Sequence, residues 1–291
     1  MMKIIITGSL GNISKPLTKA LVQKGHSVTV ISSKMEREKD IEALGATAAI
    51  GSLDDIDFLT ESFTGADVVY CMTPLNLKNS DLKGWITEIS RNYAHAIQKT
   101  GIKRVIALSG WVAGIFPSYK EIESIFTELS GVFVTQIRPG SFYSNFFDSI
   151  AMIKEMGMLA SIYGGEDRIV FSAPADIADA IVEEIMSPDF NNKVRYVASD
   201  EMTCNEAAKI IGTAIGKPDL KWAVISEVEM QKALETAGLS PKLASDIVEM
   251  QVPIHKGLMS KEFSLHQSEV INGKIKLKDF AKEFAGIFNN K

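Results

Sequence analysis

Apolar residues along this chain fall into two alternating spacings, and the alternation predicts an architecture. Short continuous apolar runs occur at Lys3–Thr7, Ser27–Ile31, 45–50, Ala66–Met72, Lys103–Ser109 and Val132–Arg138. Runs that short and that rich in β-branched residues are strands covered on both faces, because a strand with one wet face alternates. Between them the spacing widens to three and four. Pro16, Leu17, Ala20, Leu21 and Val22 make one helical face, which Gly25 closes. Ile56–Phe63 predicts a short helix. Asp81–Thr100 predicts a long one, with Trp85, Ile86, Ile89, Tyr93, Ala96 and Ile97 on its inner face and Gly101 after it. A further helix is expected over Ile122–Leu129. Strand and helix in regular alternation imply the α/β class, a doubly wound parallel sheet.

Beyond Arg138-Pro139-Gly140 the texture changes to aromatic and methionine-rich, with Phe142, Tyr143, Phe146, Phe147, Met152, Met156 and Met158. Such a cluster suits an adaptable apolar pocket for a flat substrate, and core packing accounts for it about as well. Ile169–Phe171 and Val194–Val197 read as further strands. The helix between them carries Ile177, Ala180, Ile181 and Ile185 inward, with Asp176 expected as its cap. Helices are expected at Glu206–Ile215, Glu227–Ala237, Pro241–Glu249 and Leu277–Phe288. Residues 1–150 are therefore expected to form a nucleotide-binding domain, its sheet completed by strands within 169–200. Residues 151–291 are expected to form a smaller, mainly helical substrate region.

The first strand ends in Gly8-Ser9-Leu10-Gly11-Asn12-Ile13-Ser14. Gly8 permits a tight turn, Gly11 lets the backbone approach a pyrophosphate, and the helix opening near Ile13 aims free N–H groups and its positive dipole end at that anion. Ser14 stands at the third small position, where serine is expected to pack somewhat more loosely than glycine. With the second strand following within about thirty residues, this is the dinucleotide-binding βαβ unit of a Rossmann fold. At the end of that second strand an NAD site usually places a carboxylate for the ribose 2′-hydroxyl. This chain has Ser32, Ser33 and Lys34 there, which would hold a 2′-phosphate. NADP(H) is therefore expected over NAD(H). Ligands of doubly wound sheets lie across the carboxyl ends of the strands. That edge adds Ser52 and Leu53 near adenine, Thr73 and Pro74 near the pyrophosphate and nicotinamide ribose, and Ser109 and Gly110 after the fifth strand.

Charge narrows the partners. The chain of 291 residues carries a formal net charge of −5, which argues against nucleic acid or anionic membrane, since both call for basic patches. No apolar run reaches membrane-spanning length and the amino terminus lacks a secretory pattern, so a cytoplasmic location is expected. Cys71 and Cys204 are too few for a disulfide framework, and the four histidines share no ligand spacing with them, so no metal is expected.

These motifs together resemble the NmrA-like group of atypical short-chain dehydrogenase/reductase proteins. The matching segments are Thr7–Ile13, Leu44-Gly45-Ala46 with Gly51-Ser52-Leu53-Asp54-Asp55, Thr73-Pro74, Gly101–Val105, Arg138–Phe142 with Asn145, and Asp176-Ile177-Ala178. The resemblance implies a Rossmann domain with a small carboxyl-terminal substrate domain, usually NADP(H), and a small-molecule substrate. Some members reduce quinones or small carbonyl compounds, and others sense the cofactor and bind regulatory proteins. A homodimer or such a regulatory partner is accordingly expected. Two positions depart from the pattern: Ser14, and Ser52 where an aspartate near adenine is common.

Typical short-chain dehydrogenases pair a tyrosine acid with a lysine four residues later on one helix face, the ammonium lowering the phenol pKa. No Tyr-x-x-x-Lys exists in this chain. Tyr119 lies in the right region, but the residue four later is Glu123 and Lys120 is its neighbour. Ser109, Tyr119 and Lys120 are the candidates for orienting a carbonyl, against plain strand-end, loop and surface roles. The functional expectation is an NADP(H)-dependent reductase of quinones or similar small carbonyl compounds. The alternatives are a noncatalytic redox sensor and, less favoured, a sugar-nucleotide epimerase-type enzyme.

Overall fold

A computed structural model describes residues 1–189 and 191–290. The first half alternates as the apolar spacing predicts. β1 (Lys3–Ile6), α1 (Ser14–Gln23) and β2 (Ser27–Ser32) form the opening βαβ unit, with Lys3 opposite Ser27 in parallel register. α2 (Glu38–Glu42) leads to β3 (Thr47–Ile50), α3 (Ile56–Phe63) to β4 (Val68–Cys71), α4 (Leu82–Thr100) to β5 (Arg104–Leu108), and α5 (Pro117–Thr127) to β6 (Phe133–Pro139). There follow β7 (Ser141–Phe142), α6 (Ile150–Met156), β8 (Leu159–Ser161), β9 (Arg168–Ser172), α7 (Pro174–Met186) and β10 (Lys193–Ala198). The remainder comprises β11 (Asp200–Thr203), α8 (Cys204–Ala214), β12 (Trp222–Val224), α9 (Glu227–Thr236), α10 (Pro241–His255), α11 (Leu258–His266), β13 (Ile271–Asn272) and α12 (Leu277–Asn290).

The main sheet has eight strands in the order β13-β10-β6-β5-β4-β1-β2-β3, parallel from β3 through to β6 and again between β10 and β13. This is the Rossmann order, and it reverses between β1 and β4. Two smaller sheets join β11, β9 and β7, and β12 and β8. By packing, the described residues divide into two units. One comprises Met1–Asn76, Lys83–Arg138 and Ile177–Arg195, and the other Leu77–Leu82, Pro139–Asp176 and Tyr196–Lys291. No helix among the described residues is long and apolar enough to cross a membrane.

In the first unit Val69, Cys71, Val105 and Ala107 point from their strands onto Leu59, Phe63, Ile89, Tyr93, Ala96 and Ile97, all buried. Arg104, at the start of β5, is buried too. Its guanidinium donates to the Glu184, Ile185 and Ser187 carbonyls at the end of α7, the latter two at 2.9 and 3.1 Å. These carbonyls lie in and just past the last turn, where a helix runs out of its own donors, although Glu184 O also accepts from the Ser187 amide (3.2 Å), and a cation there is favoured by the dipole. In the second unit Tyr143, Phe146, Phe147, Phe171, Phe280 and Phe284 pack in stacked, tilted and edge-on pairs with ring centroids 5.2–6.4 Å apart. The aromatic stretch after Arg138 thus packs around α12 with Tyr143 and Phe146 buried, while Met156 of the same stretch is exposed.

Several expectations are corrected. Asp176 does not cap its helix. Pro174 takes the first helical position, suited to it because no N–H is needed there. Asp176 instead accepts from Ser199 Oγ (2.7 Å) and from the Lys274 and Ile275 amides (3.0 and 3.1 Å). The helix expected at Ile122–Leu129 begins five residues earlier, at Pro117, so Tyr119 and Lys120 ride a helix rather than a loop. α10 runs past Glu249 to His255 with Pro253 inside it. α11 and the short strands β7, β8, β11, β12 and β13 are too brief or too mixed in pattern to be expected from spacing.

Gly140 shows how closely the second unit's backbone packs. A Cβ there would stand 2.4 Å from the Val170 carbonyl oxygen, and main chain cannot swing aside as a side chain can. Gly140→Ala is expected to cost about 2 kcal/mol or more, measured as a lowered urea midpoint with unchanged slope; an unshifted midpoint refutes the close approach.

Candidate functional site

The polypeptide leaves β1 at Thr7 and turns through Gly8, at φ +87°, and Ser9, at φ +53°. Gly8 holds that conformation because it lacks a side chain; a Cβ would meet Ser14 Oγ at 2.8 Å and the Met72 Sδ and Cε at 3.2 and 3.1 Å. Gly11 donates to the Gly8 carbonyl (3.1 Å) and its own carbonyl receives Lys15 (3.0 Å), which closes the turn onto α1. Ile13, at the helix N-cap, supplies no side-chain cap. The amides of Leu10, Asn12 and Ile13 have no acceptor among the described residues. Donors left open at the start of a ten-residue helix make a cradle of the kind that can receive an anion.

Ser14 belongs to this cradle more firmly than a loose substitute for glycine would. It is fully buried and its hydroxyl donates to the Thr7 carbonyl at 2.9 Å. Thr7 extends the β1–β4 ladder beyond its last strand pair: its amide donates to Tyr70 O (3.1 Å), while its hydroxyl accepts from the Met72 amide (2.7 Å) and donates to the Met72 carbonyl (3.1 Å). Tyr93 donates to that same carbonyl at 2.9 Å, and burial pushes its phenol well above the usual range, so it stays a donor. Met72 is thereby held with its thioether against Gly8.

The predicted edge residues are placed as follows. Ser9 and Ser32 meet, with Oγ to Oγ at 2.9 Å, and Ser32 Oγ accepts from the Lys34 amide at 3.2 Å. Ser33 and Lys34 are exposed just beyond. Ser52 Oγ bonds Asp54 at 3.1 Å, and Asn92 of α4 holds the Leu53 carbonyl at 3.1 Å. Pro74 O receives the Trp85 indole N–H (3.1 Å), which fixes the segment after Thr73. Ser109 N donates to Ile137 O (2.8 Å), Gly110 O receives Ala113, and the Tyr119 ring lies against Gly110, 3.3 Å from where a Cβ would be. Thus Gly8–Ile13, Ser32–Lys34, Ser52–Leu53, Thr73–Pro74 and Ser109–Gly110 all follow strand ends of the first unit. Lys120 is exposed on α5.

Glu123 is not the free neighbour of the phenol that its spacing suggested. It is buried and forked onto Arg138, whose Nε reaches Oε1 at 2.9 Å and whose Nη2 reaches Oε2 at 2.5 Å. Spacing alone could not find this pair, since the partners are fifteen residues apart on different elements. Met72, Tyr93 and Asn92 were equally hidden, because each reads locally as a strand end or a helix face. Among the described residues no three His, Cys, Asp or Glu side chains gather as for a metal.

The NmrA-like family model matches residues 1–253. The chain belongs to the NmrA-like family. Among its relatives, this NmrA-like protein is 20% identical over 254 residues to the NAD(P)H azoreductase of Xenophilus azovorans, covering 85% of each chain. It is 24% identical over 266 residues to isoeugenol synthase 1 of Petunia hybrida, covering 84% of this chain and 80% of that one. The NADPH-dependent quinone oxidoreductase of Escherichia coli, solved with NADPH, shares the fold with a TM-score of 0.78 at 21% identity, over 97% of this chain and 99% of that one. The triphenylmethane reductase of a Citrobacter species, solved with NADP(H), shares it with a TM-score of 0.78 at 19% identity and the same coverage.

Cys71 lies at the end of β4, beside this edge, and Cys204 opens α8; both thiols are buried and unpaired. Burial pushes Cys71 well up, and burial foremost, with the charges of Asp167 and Glu166, pushes Cys204 up to about 12. A raised thiol pKa keeps the proton on at neutral pH, so neither is a thiolate nucleophile. The folded protein at pH 8 is expected to resist a disulfide reagent and to release both thiols only on unfolding. Rapid labelling of native protein would contradict this.

Proposed function

We propose that this chain is an NADPH-dependent reductase acting on quinones or similar small conjugated carbonyl compounds. The observation that carries the reading is the Gly8–Ile13 cradle at the point where the strand order reverses. Its open amides and helix end fit a diphosphate. The Leu10, Asn12 and Ile13 amides would hold the diphosphate. Ser32, Ser33 and Lys34 would take the ribose 2′-phosphate: two hydroxyls and an ammonium follow β2 where an NAD site places a carboxylate. Ser52 and Leu53 would border adenine, and Thr73, Pro74, Ser109 and Gly110 the nicotinamide half. When bound, NADPH supplies the hydride, the difficult part of the chemistry.

The chain's own contribution is placement. A quinone reduced by hydride takes its proton from water readily, so the missing Tyr-x-x-x-Lys pair does not bar the reaction. Ser109, Tyr119 and Lys120 would orient the acceptor oxygen. The azoreductase and quinone oxidoreductase named above support a reductase that uses a nicotinamide coenzyme. A second reading, a sensor that binds the coenzyme without turnover, is favoured by one observation: Glu123, where the lysine would stand, is consumed by Arg138.

Purified protein with NADPH and a panel of quinones separates the two. Acceptor-dependent loss of NADPH absorbance is expected, whereas calorimetric binding without turnover would establish the sensor and overturn the reductase. Lys34→Glu is expected to weaken NADPH binding by roughly ten- to a hundredfold, on the order of 1.4–2.8 kcal/mol, and to leave NADH binding nearly unchanged. Equal losses for both coenzymes would refute the 2′-phosphate role.

A further inference from the structure

Helix α5, the loop from Gly110 to Phe116 and the end of β6 meet on one guanidinium. Arg138 forks onto Glu123 of α5, and its Nη1 lies where a Cβ on Gly114 would approach to 2.8 Å. Gln136 reinforces the junction, donating to the Glu123 carbonyl at 3.4 Å. The loop is further folded on itself by Ala113 N to Gly110 O (3.0 Å) and Phe116 N to Val112 O (2.8 Å), and Trp111 within it is buried. One turn of α5 before Glu123, the Tyr119 ring packs on Gly110 and, at 6.1 Å between centroids, on Phe116. Tyr119 and the loop from Gly110 to Phe116 thus lie against elements that this one ion pair joins.

Stability alone does not account for such a pair. Both side chains are about one-tenth exposed, and taking two charges out of water costs several kcal/mol each, so a well-packed apolar pair is often as stable. A planar fork instead fixes direction: a guanidinium bound through Nε and Nη2 has one orientation, and its remaining edge then sets where the loop can lie. The position four after the tyrosine holds a carboxylate, and the arginine on the adjoining strand neutralises it, so this junction presents geometry without net charge.

Resting on the reductase reading, we propose that Glu123 and Arg138 are positioning residues. Their ion pair holds Tyr119 and the loop from Trp111 to Phe116 in the one arrangement that orients the acceptor, and it acts on turnover rather than on coenzyme binding. Ser109 is fixed separately, its amide donating to the Ile137 carbonyl at 2.8 Å, so loss of the pair should separate the two.

Arg138→Lys keeps the charge but not the fork, and Gly114→Ala pushes a methyl group at Nη1 with both charges kept. Each is compared with unsubstituted protein by kcat and KM for a quinone, NADPH affinity by calorimetry, thermal midpoint, and amide hydrogen exchange over 110–120 without coenzyme. The expected result is a kcat lower by about tenfold or more, as small misplacements produce, with NADPH affinity within twofold. Exchange over 110–120 should be roughly tenfold faster while other segments are unchanged. Glu123→Asp, which keeps the carboxylate, should lower kcat less than Glu123→Gln, which does not. Unchanged kcat and exchange in folded variants would overturn the proposal, as would kcat and NADPH affinity falling together with the thermal midpoint. If the unsubstituted protein binds NADPH without turnover, the reductase reading fails. The exchange comparison then still decides whether the pair fixes this loop.

Discussion

The constraint on which the rest depends is the hydroxyl of Thr7. In a sheet whose strand order reverses, the two strands beside the reversal diverge beyond their last paired residues, and something must hold their ends at a fixed spacing if a ligand is to sit across them. Thr7 does this by both accepting from and donating to Met72, one residue past β4. The Thr7 carbonyl takes the Ser14 hydroxyl, so the same residue anchors the start of α1. Tyr93 brings α4 to the Met72 carbonyl as well. Two strands and two helices thus converge within one peptide of the glycine turn. The turn's backbone N–H groups can stay open because other groups do the structural bonding.

Much of the first unit was legible because its strands are covered on both faces. Burial forces a continuous apolar run, and a run that short, flanked by turn residues and rich in β-branched side chains, suits a strand better than a helix. The glycine turn was legible for a different reason: Gly8 sits at a backbone angle and a distance that few residues tolerate. The second unit was less readable. Its strands β7, β12 and β13 have two or three residues each, too few for a period to show. Asp176 read as a cap because an acidic residue opening a helix usually is one. The Pro174 two residues earlier had already taken the first helical position.

The site divides the same way. Residues that meet the dinucleotide through backbone could be found from local pattern, since glycine and strand ends mark where main chain is exposed. Residues that act through side chains on each other could not. Glu123 read as a carboxylate beside a phenol because helical spacing places it there, and only the tertiary structure shows its charge already matched by Arg138. Ser14, read as a weakened glycine, is better understood as a polar rivet between turn and helix. Its small volume permits the close packing, and its hydroxyl adds a bond that glycine lacks.

Arg104 carries a consequence for divergence within the family. It grips α7 through main-chain oxygens, which every amino acid possesses, and so places little demand on which side chains occupy that helix end. A joint built on peptide groups tolerates drift in the partner segment, provided the arginine persists. A change of side chain at that helix end therefore leaves the acceptors of the joint in place.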